Sequence, residues 1–457
     1  MGTFQERLMV PMRTGEALLL AGATLLSLAL VVLFGRVVPD ITPDTEGYVA
    51  LAAWPAVLEG MRTPFYGWTV APFAGSEPAF ALVPALQAAA WTGAVWFLVA
   101  SLRRYGVSRK AALSVGFALL FANAFHLMVD WIHPEVPALA ALAVAVGAVA
   151  RLAGGGRPIV WLPLVLLGAG WGTLARPSFL PFVGMLPVLF VLLVAIRREG
   201  MRIGLATAVL LAATAPVAGW VGLRAATVGG VAVAPFGGFA MSGMAGLMLT
   251  PAIVERLPDD VRPLAERVLA ARTAGEAEGR LIGVPRNSSG DRSFHSAALG
   301  YFDVLARTYD EVAWGIVLRE RAADEPWPAF DARVGRFATA VIVAAPDRWV
   351  AWVAGATTRL VGRGLTANLP FLLATAACVL LWPLVLLRRP PPRPANERGA
   401  DVPVLIALAG GWFAAAGLLT VLMTFPALRY VDSAALLLPA LPIYAAWSLV
   451  DRLRERR

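Results

Sequence analysis

The chain has 457 residues, of which 58% are hydrophobic and only 15% charged, with a mean hydropathy of +0.69. Ordinary soluble domains are roughly half apolar and about a quarter charged, so these figures exclude a soluble globular fold and imply a polytopic membrane protein. The net charge of +9 does not mark a nucleic-acid partner, because the arginines cluster in short loops between apolar runs, where they orient a chain in a bilayer.

From the N-terminus, the apolar run Ala17 to Phe34 is too long for the h-region of a signal peptide, and no small-x-small cleavage site follows before "GRVVPD". It reads as a retained anchor. A bilayer core takes about 20 apolar residues per helix. Runs that qualify lie near 16–34, 79–101, 111–129, 136–152, 158–175, 177–196, 203–224, 366–387, 402–425 and 433–450. Cys378, the single cysteine, lies inside one of them, which excludes an intramolecular disulfide and a cysteine-based metal cluster.

Ten spans put both termini on one side of the membrane. One set of span ends carries Arg7, Arg13, "RRYGVSRK", Arg151, Arg157, "RREGMR", "RRPPPRPANER" and "DRLRERR", and the positive-inside rule makes that side cytoplasmic. The opposite short loops hold Arg36, Arg62, Arg176 and Arg429 with most of the loop acids. The first loop, 36–78, is therefore expected to face outward.

Two further apolar stretches are not counted as spans. Residues 228–249 are broken by glycines, and inserting them would invert every later loop. Residues 337–356 carry Asp347 and Arg348 at their middle, each costing about 2.5–3.5 kcal/mol or more at a bilayer centre; Pro346 divides the stretch, as in an interfacial helix pair. The expected fold is all-α with about ten transmembrane helices. It falls into an N-terminal transmembrane module (1–225), an outer-face segment (226–365) with helical stretches at 261–281 and 302–322, and C-terminal transmembrane helices (366–457). The "RNSSGD" turn reads as flexible, and the "RPPPRP" tract as a stiff cytoplasmic linker.

The chain has no Walker A loop, HExxH or G-x-S-x-G, which disfavours nucleotide chemistry and the common hydrolases. Span interiors are nearly free of ionisable groups, His126 and Asn123 being the main polar intrusions. Ion-coupled transporters need carboxylates or broken helices near mid-membrane. Here Asp40, Asp44, Glu46, Arg62, Asp130, His133, Glu135, Arg176, Arg224, Arg429 and Asp432 gather at the expected outer ends of the spans. Such a layer suits a substrate with an apolar tail in lipid and a phosphate at headgroup depth.

Each of these residues also has a bland reading, since acids flanking a span are usually solvated and arginines snorkel to headgroups. Spacing strengthens the first loop: Pro43 ends an extended segment, Asp44 and Thr45 fit a helix N-cap, and Tyr48, Leu51 and Ala52 repeat at helical intervals. His133 and Glu135 could orient a sugar or hold a divalent cation, but two ligands in one turn make a weak metal signature. A structural role at a helix end is preferred, and no cofactor is required. Trp54, Trp68, Trp349 and Trp352 read as interfacial anchors rather than sugar-stacking platforms.

"PDTEGYVALA" followed by "GMRTPFYGW" resembles the first-loop signature of GT-C glycosyltransferases, whose usual form is an Asp, a spaced Tyr and an Arg-Thr-Pro-x-Tyr turn. Protein O-mannosyltransferases and the aminoarabinose transferases of lipid A are among that family. Weaker echoes are "WIHPEVPAL", "LARPSFLP", "FATAVIVAAPDRWVAWV" and "ALRYVDSAALLLPALP". The chain departs from the pattern in having Phe65 where Gly is common and "YGW" in place of a Tyr-Pro pair.

What the resemblance implies is transfer of a sugar from a polyprenyl-phosphate carrier to a glycan, lipid or protein acceptor, among membrane lipids, on the outer face of the cytoplasmic membrane. It implies a first-loop Asp as general base, with Asp44 at the motif position and Asp40 as competitor. Expected substrate-binding residues are Glu46, Tyr48, Arg62, Tyr66, His133, Glu135, Arg176, Arg429 and Tyr430, with the arginines available for the departing phosphate. The alternatives are an O-antigen ligase or polymerase-like enzyme, a lipid or solute transporter, and a non-catalytic assembly subunit.

Overall fold

The computed structural model of the protein describes residues 12–50, 53–54, 56–281, 294–300, 302–388 and 400–454. The "RNSSGD" turn, the "RPPPRP" tract, Leu51 and Ala52 lie outside the described residues. Among the described residues the fold is all-helical with no strand, and Asp40 with Trp131 forms an isolated parallel bridge. Among the described residues nine helices are long and apolar enough to cross a membrane, or up to eleven if each of two bent helix pairs counts as one span. The chain is a multi-pass membrane protein.

The spans follow the apolar runs because a helix is the form in which a lipid-embedded segment satisfies all its backbone groups internally. The last expected span is a helix pair, Leu428–Leu437 with Ala440–Arg454, bent by 40°. The stretch around Pro346 is also a pair: Trp327–Ala344 and Pro346–Thr366 meet at 101°, as a proline at the start of the second helix allows. Residues 228–249 yield only the 12-residue helix Gly237–Met248.

The centre of the bundle is built on the span Glu135–Ala153, whose Ala-rich sequence lets neighbours approach from several sides. Its closest partner is Pro158–Ala175. At Gly168 a Cβ would lie 2.5 Å from the carbonyl oxygen of Ala141, and at Gly172 one would lie 2.5 Å from Leu142 Cγ. These two glycines, one turn apart on one face, therefore set how closely the two backbones pack. The consequence appears at the helix ends, where the residue after Ala175 meets the first residue of Glu135–Ala153.

One expected role is corrected here. Trp352 is fully buried rather than an interfacial anchor; its ring packs 5.0 Å from that of Phe302 and its indole N–H donates to Thr424 O at 3.0 Å. A tryptophan with its N–H satisfied inside the protein is stable away from any headgroup. Trp54 and Trp68 are exposed.

Candidate functional site

The first loop is fastened to the turn before Glu135–Ala153. Asp40 N–H donates to Asp130 O at 2.8 Å and Ile132 N–H to Asp40 O at 3.2 Å. Two residues on, Thr42 Oγ1 lies 2.7 Å from His133 Nε2, and Thr45 Oγ1 donates to Ile132 O at 3.3 Å. A short helix, Pro43–Ala50, begins at this anchored point. Proline suits the first helical position because its missing N–H is one the helix leaves unpaired anyway. Asp44 is thus inside the first turn rather than the N-cap that its sequence suggests, and Thr42 precedes the helix.

From that first turn the Asp44 carboxylate faces three partners. Arg62 donates to Oδ1; Arg429 Nη1 is 3.5 Å from Oδ2; His133 Nε2 is 3.7 Å from the same oxygen. Arg62 is held by more than charge: its guanidinium lies over the Tyr48 ring, 4.3 Å from the centroid. A Cβ on Gly47 would come within 3.2 Å of Arg62 Nε, so the absent side chain gives the arginine its path. The Tyr48 ring also meets Tyr66 edge to face at 5.2 Å.

Behind His133 lies a buried ion pair. His133 Nδ1 is 3.4 Å from Glu135 Oε2, and Arg176 Nη1 is 2.8 Å from Glu135 Oε1. Glu135 is inaccessible to solvent and Arg176 is buried. The close packing at Gly168 and Gly172 delivers Arg176 to this carboxylate. Arg176 also lies 5.1 Å from the Tyr430 ring centroid, and Arg429 lies 5.2 Å from it. Tyr430 therefore separates two guanidinium groups while attracting both through its face.

Burial alone would raise the Asp44 pKa, but Arg62, His133 and Arg429 outweigh it and hold the carboxyl below its usual range. Burial raises the Tyr48 phenol, against the pull of Arg62 and Arg176, and raises Tyr66 well above the ordinary range. Both therefore remain neutral hydroxyls. The guanidinium groups of Arg62, Arg176 and Arg429 face the two carboxylates of Asp44 and Glu135 in this cluster. The surplus is positive, which favours an anionic guest, and bidentate arginines match a phosphate well.

Of the residues singled out in the sequence, the structure brings together Asp44, Tyr48, Arg62, Tyr66, His133, Glu135, Arg176, Arg429 and Tyr430. It leaves Asp40 and Glu46 apart: both are exposed, and neither side chain forms an ion pair or hydrogen bond with another described residue. Asp40 contributes through its backbone. Among the described residues, no group of three or more His, Cys, Asp or Glu could hold a metal ion.

Three contributors escaped the sequence reading. Thr42 bridges to His133; Gly47 admits Arg62; Gln87 accepts from Tyr66 Oη at 3.3 Å and donates to Val129 O at 2.8 Å and Trp131 O at 3.0 Å. Gln87 was detectable as an amide in an otherwise apolar run, "LVPALQAAAW". A buried amide needs partners, and these tie Tyr66 to the turn that carries His133.

No family model matches the chain, and no curated protein matches it. Among solved structures it is similar to the crystal structure of ArnT from Cupriavidus metallidurans in the apo state, with 16% identity, coverage of 96% of this chain and 78% of that one, and a TM-score of 0.33.

Proposed function

We propose that the protein is a GT-C-type glycosyltransferase that moves a sugar from a polyprenyl-phosphate carrier to an acceptor hydroxyl on the outer face of the cytoplasmic membrane. The observation that carries this reading is the Asp44 carboxylate, partly open to solvent and flanked by Arg62 and Arg429 at the end of a bundle of apolar spans. A carboxylate beside surplus guanidinium charge is the pairing that a phosphate leaving group and a hydroxyl nucleophile require.

In this mechanism the acceptor oxygen attacks the anomeric carbon as its proton passes to Asp44 Oδ2. The bond from the anomeric carbon to the phosphate oxygen breaks on the opposite face, so the anomeric configuration inverts. The lipid phosphate leaves with additional negative charge, which Arg62 and Arg429 are placed to accept. An acceptor hydroxyl is a poor nucleophile without a base in hydrogen-bond reach, and fixed cations cost no reorganisation as charge develops. Asp44 is preferred to Asp40 because only Asp44 shares its carboxylate with these arginines. The isoprenoid tail rests among the exposed apolar side chains of the spans, and no cofactor enters the steps.

The test supplies the purified protein in proteoliposomes with radiolabelled polyprenyl-phosphate sugars and crude envelope acceptors. Label leaving the lipid for a new acceptor supports the reading. Movement of intact lipid between leaflets, with the sugar-phosphate bond unbroken, would replace it with transport.

A further inference from the structure

The connector from Arg36 to Asp40 leads from the first span, Thr14–Leu33, to the helix that carries Asp44, and one residue holds it at both ends. At its start, Gly35 adopts a φ of 70°, a left-handed conformation that glycine takes without steric cost. The Gly35 N–H donates to Val32 O at 3.0 Å and the Arg36 N–H to Val31 O at 2.9 Å, a pairing that closes a helix and turns the chain aside. The turn brings Arg36 Nη1 to 3.1 Å from Asp130 Oδ2. At the other end, the main-chain carbonyl of the same Asp130 accepts from Asp40 N–H.

Asp130 has little freedom of its own. Gln87 Nε2 donates to the carbonyls on either side of it, Val129 O and Trp131 O, and its side chain is 7% exposed against 34% for Arg36. Its other carboxylate oxygen, Oδ1, is buried without a hydrogen bond, so the carboxylate depends on Arg36. A buried ion pair is a weak source of stability, because apolar residues of similar volume often do as well. What the pair adds is direction. It selects one alignment of the connector on the turn; a slip of one residue at the Asp40–Trp131 bridge would send successive side chains of the extended chain to the opposite face, taking Asp44 away from Arg429.

Resting on the glycosyltransferase reading, we infer that Asp130 and Arg36 are positioning residues for Asp44: together they set the length and register of the first-loop connector, and so the place of the Asp44 carboxylate between Arg62 and Arg429. Neither contacts that carboxylate, whose partners are Arg62, Arg429 and His133. They act through Asp44 alone.

Two measurements on the full-length protein test this. The first is a double-mutant cycle in the transfer assay. Arg36→Gln is expected to lower kcat about 10-fold or more, since a misplacement of about 1 Å can cost about 10²-fold, and Arg36→Lys, which keeps the charge, to recover most of the loss. In the Arg36→Gln background, Asp44→Asn should cost no more than about 10-fold, against the roughly 10²-fold of a positioned base in the wild type, because a misplaced base has less to lose. Residues that act through one another are not additive. Losses that simply multiply, or an Arg36→Gln enzyme with the wild-type kcat, overturn the inference.

The second readout needs no activity. Backbone hydrogen exchange, followed by mass spectrometry in wild type, Arg36→Gln and Asp130→Asn, compares peptides covering residues 37–50 with peptides from the span Glu135–Ala153. Faster exchange in the first set alone is the expected result in both variants. Unchanged exchange in the first set, or equal acceleration in both sets, overturns the inference, since the pair then fixes nothing or supports the bundle as a whole. Absence of transfer by the wild type with every donor sinks the glycosyltransferase reading instead, a different result, and the exchange experiment still decides whether the pair fixes the loop.

Discussion

Arg429 reaches Asp44 across 385 positions of sequence, its Nη1 3.5 Å from Oδ2. The contact joins a helix near the end of the chain to the first loop, and Tyr430 beside it links the same helix to Arg176. The site is therefore closed by elements from both ends of the sequence, and its charge balance depends on all of them being packed.

The first prediction separates the two first-loop aspartates. Asp44→Asn is expected to reduce sugar transfer by about 10²-fold or more, the contribution typical of a positioned base. Asp40→Asn is expected to stay within about 3-fold of wild type, because its backbone and not its carboxylate is engaged. Initial rates with labelled donor decide the matter; equal losses in the two variants would remove Asp44 from its role.

A second concerns Arg429. Lysine keeps the charge but lacks the planar fork that can serve a carboxylate and a phosphate oxygen together. Arg429→Lys is expected to raise KM for the lipid-phosphate donor by about 10-fold, corresponding to roughly 1.4 kcal/mol, with acceptor KM little changed. A titration of both substrates separates this from general damage, which would affect the two alike.

The third addresses the buried pair. Removing one member leaves an uncompensated charge, which costs about 3–5 kcal/mol, whereas an apolar replacement of both can be nearly neutral. Glu135→Leu and Arg176→Met should each lower the thermal midpoint in detergent markedly, and the double variant should recover much of the loss. Additive losses in the double variant would contradict a coupled pair.

The fourth follows from the depressed Asp44 pKa. Such a group adds stability above its unfolded pKa, near 3.9, and that stability is lost as pH falls through the lower folded value. The difference in thermal midpoint between wild type and Asp44→Asn should therefore be constant from pH 7 to about 5 and shrink below about 4. A difference that grows on acidification would reverse the sign of the argument.

How much of this was legible beforehand varies by residue. Arg62 and Tyr48 stood out because helical spacing and a short loop keep them near Asp44. Thr42 and Gly47 did not, because their contribution is a contact with His133 and a missing Cβ beneath Arg62, and neither is a property of residue type. Trp352 was misjudged for a related reason: an amphipathic ring beside a proline break suits an interface, yet here its indole N–H finds Thr424 O inside the fold.

The sequence by itself determined the spans, the near absence of charge within them and the gathering of ionisable groups at their ends, because hydropathy is summed over about 20 neighbouring residues and needs no partner. Tertiary structure alone decided that Asp44 rather than Asp40 meets the arginines, and that Arg176 meets Glu135. Ion pairing falls away within a few ångströms, so it is set by how closely helices such as Glu135–Ala153 and Pro158–Ala175 pack, at Gly168 and Gly172.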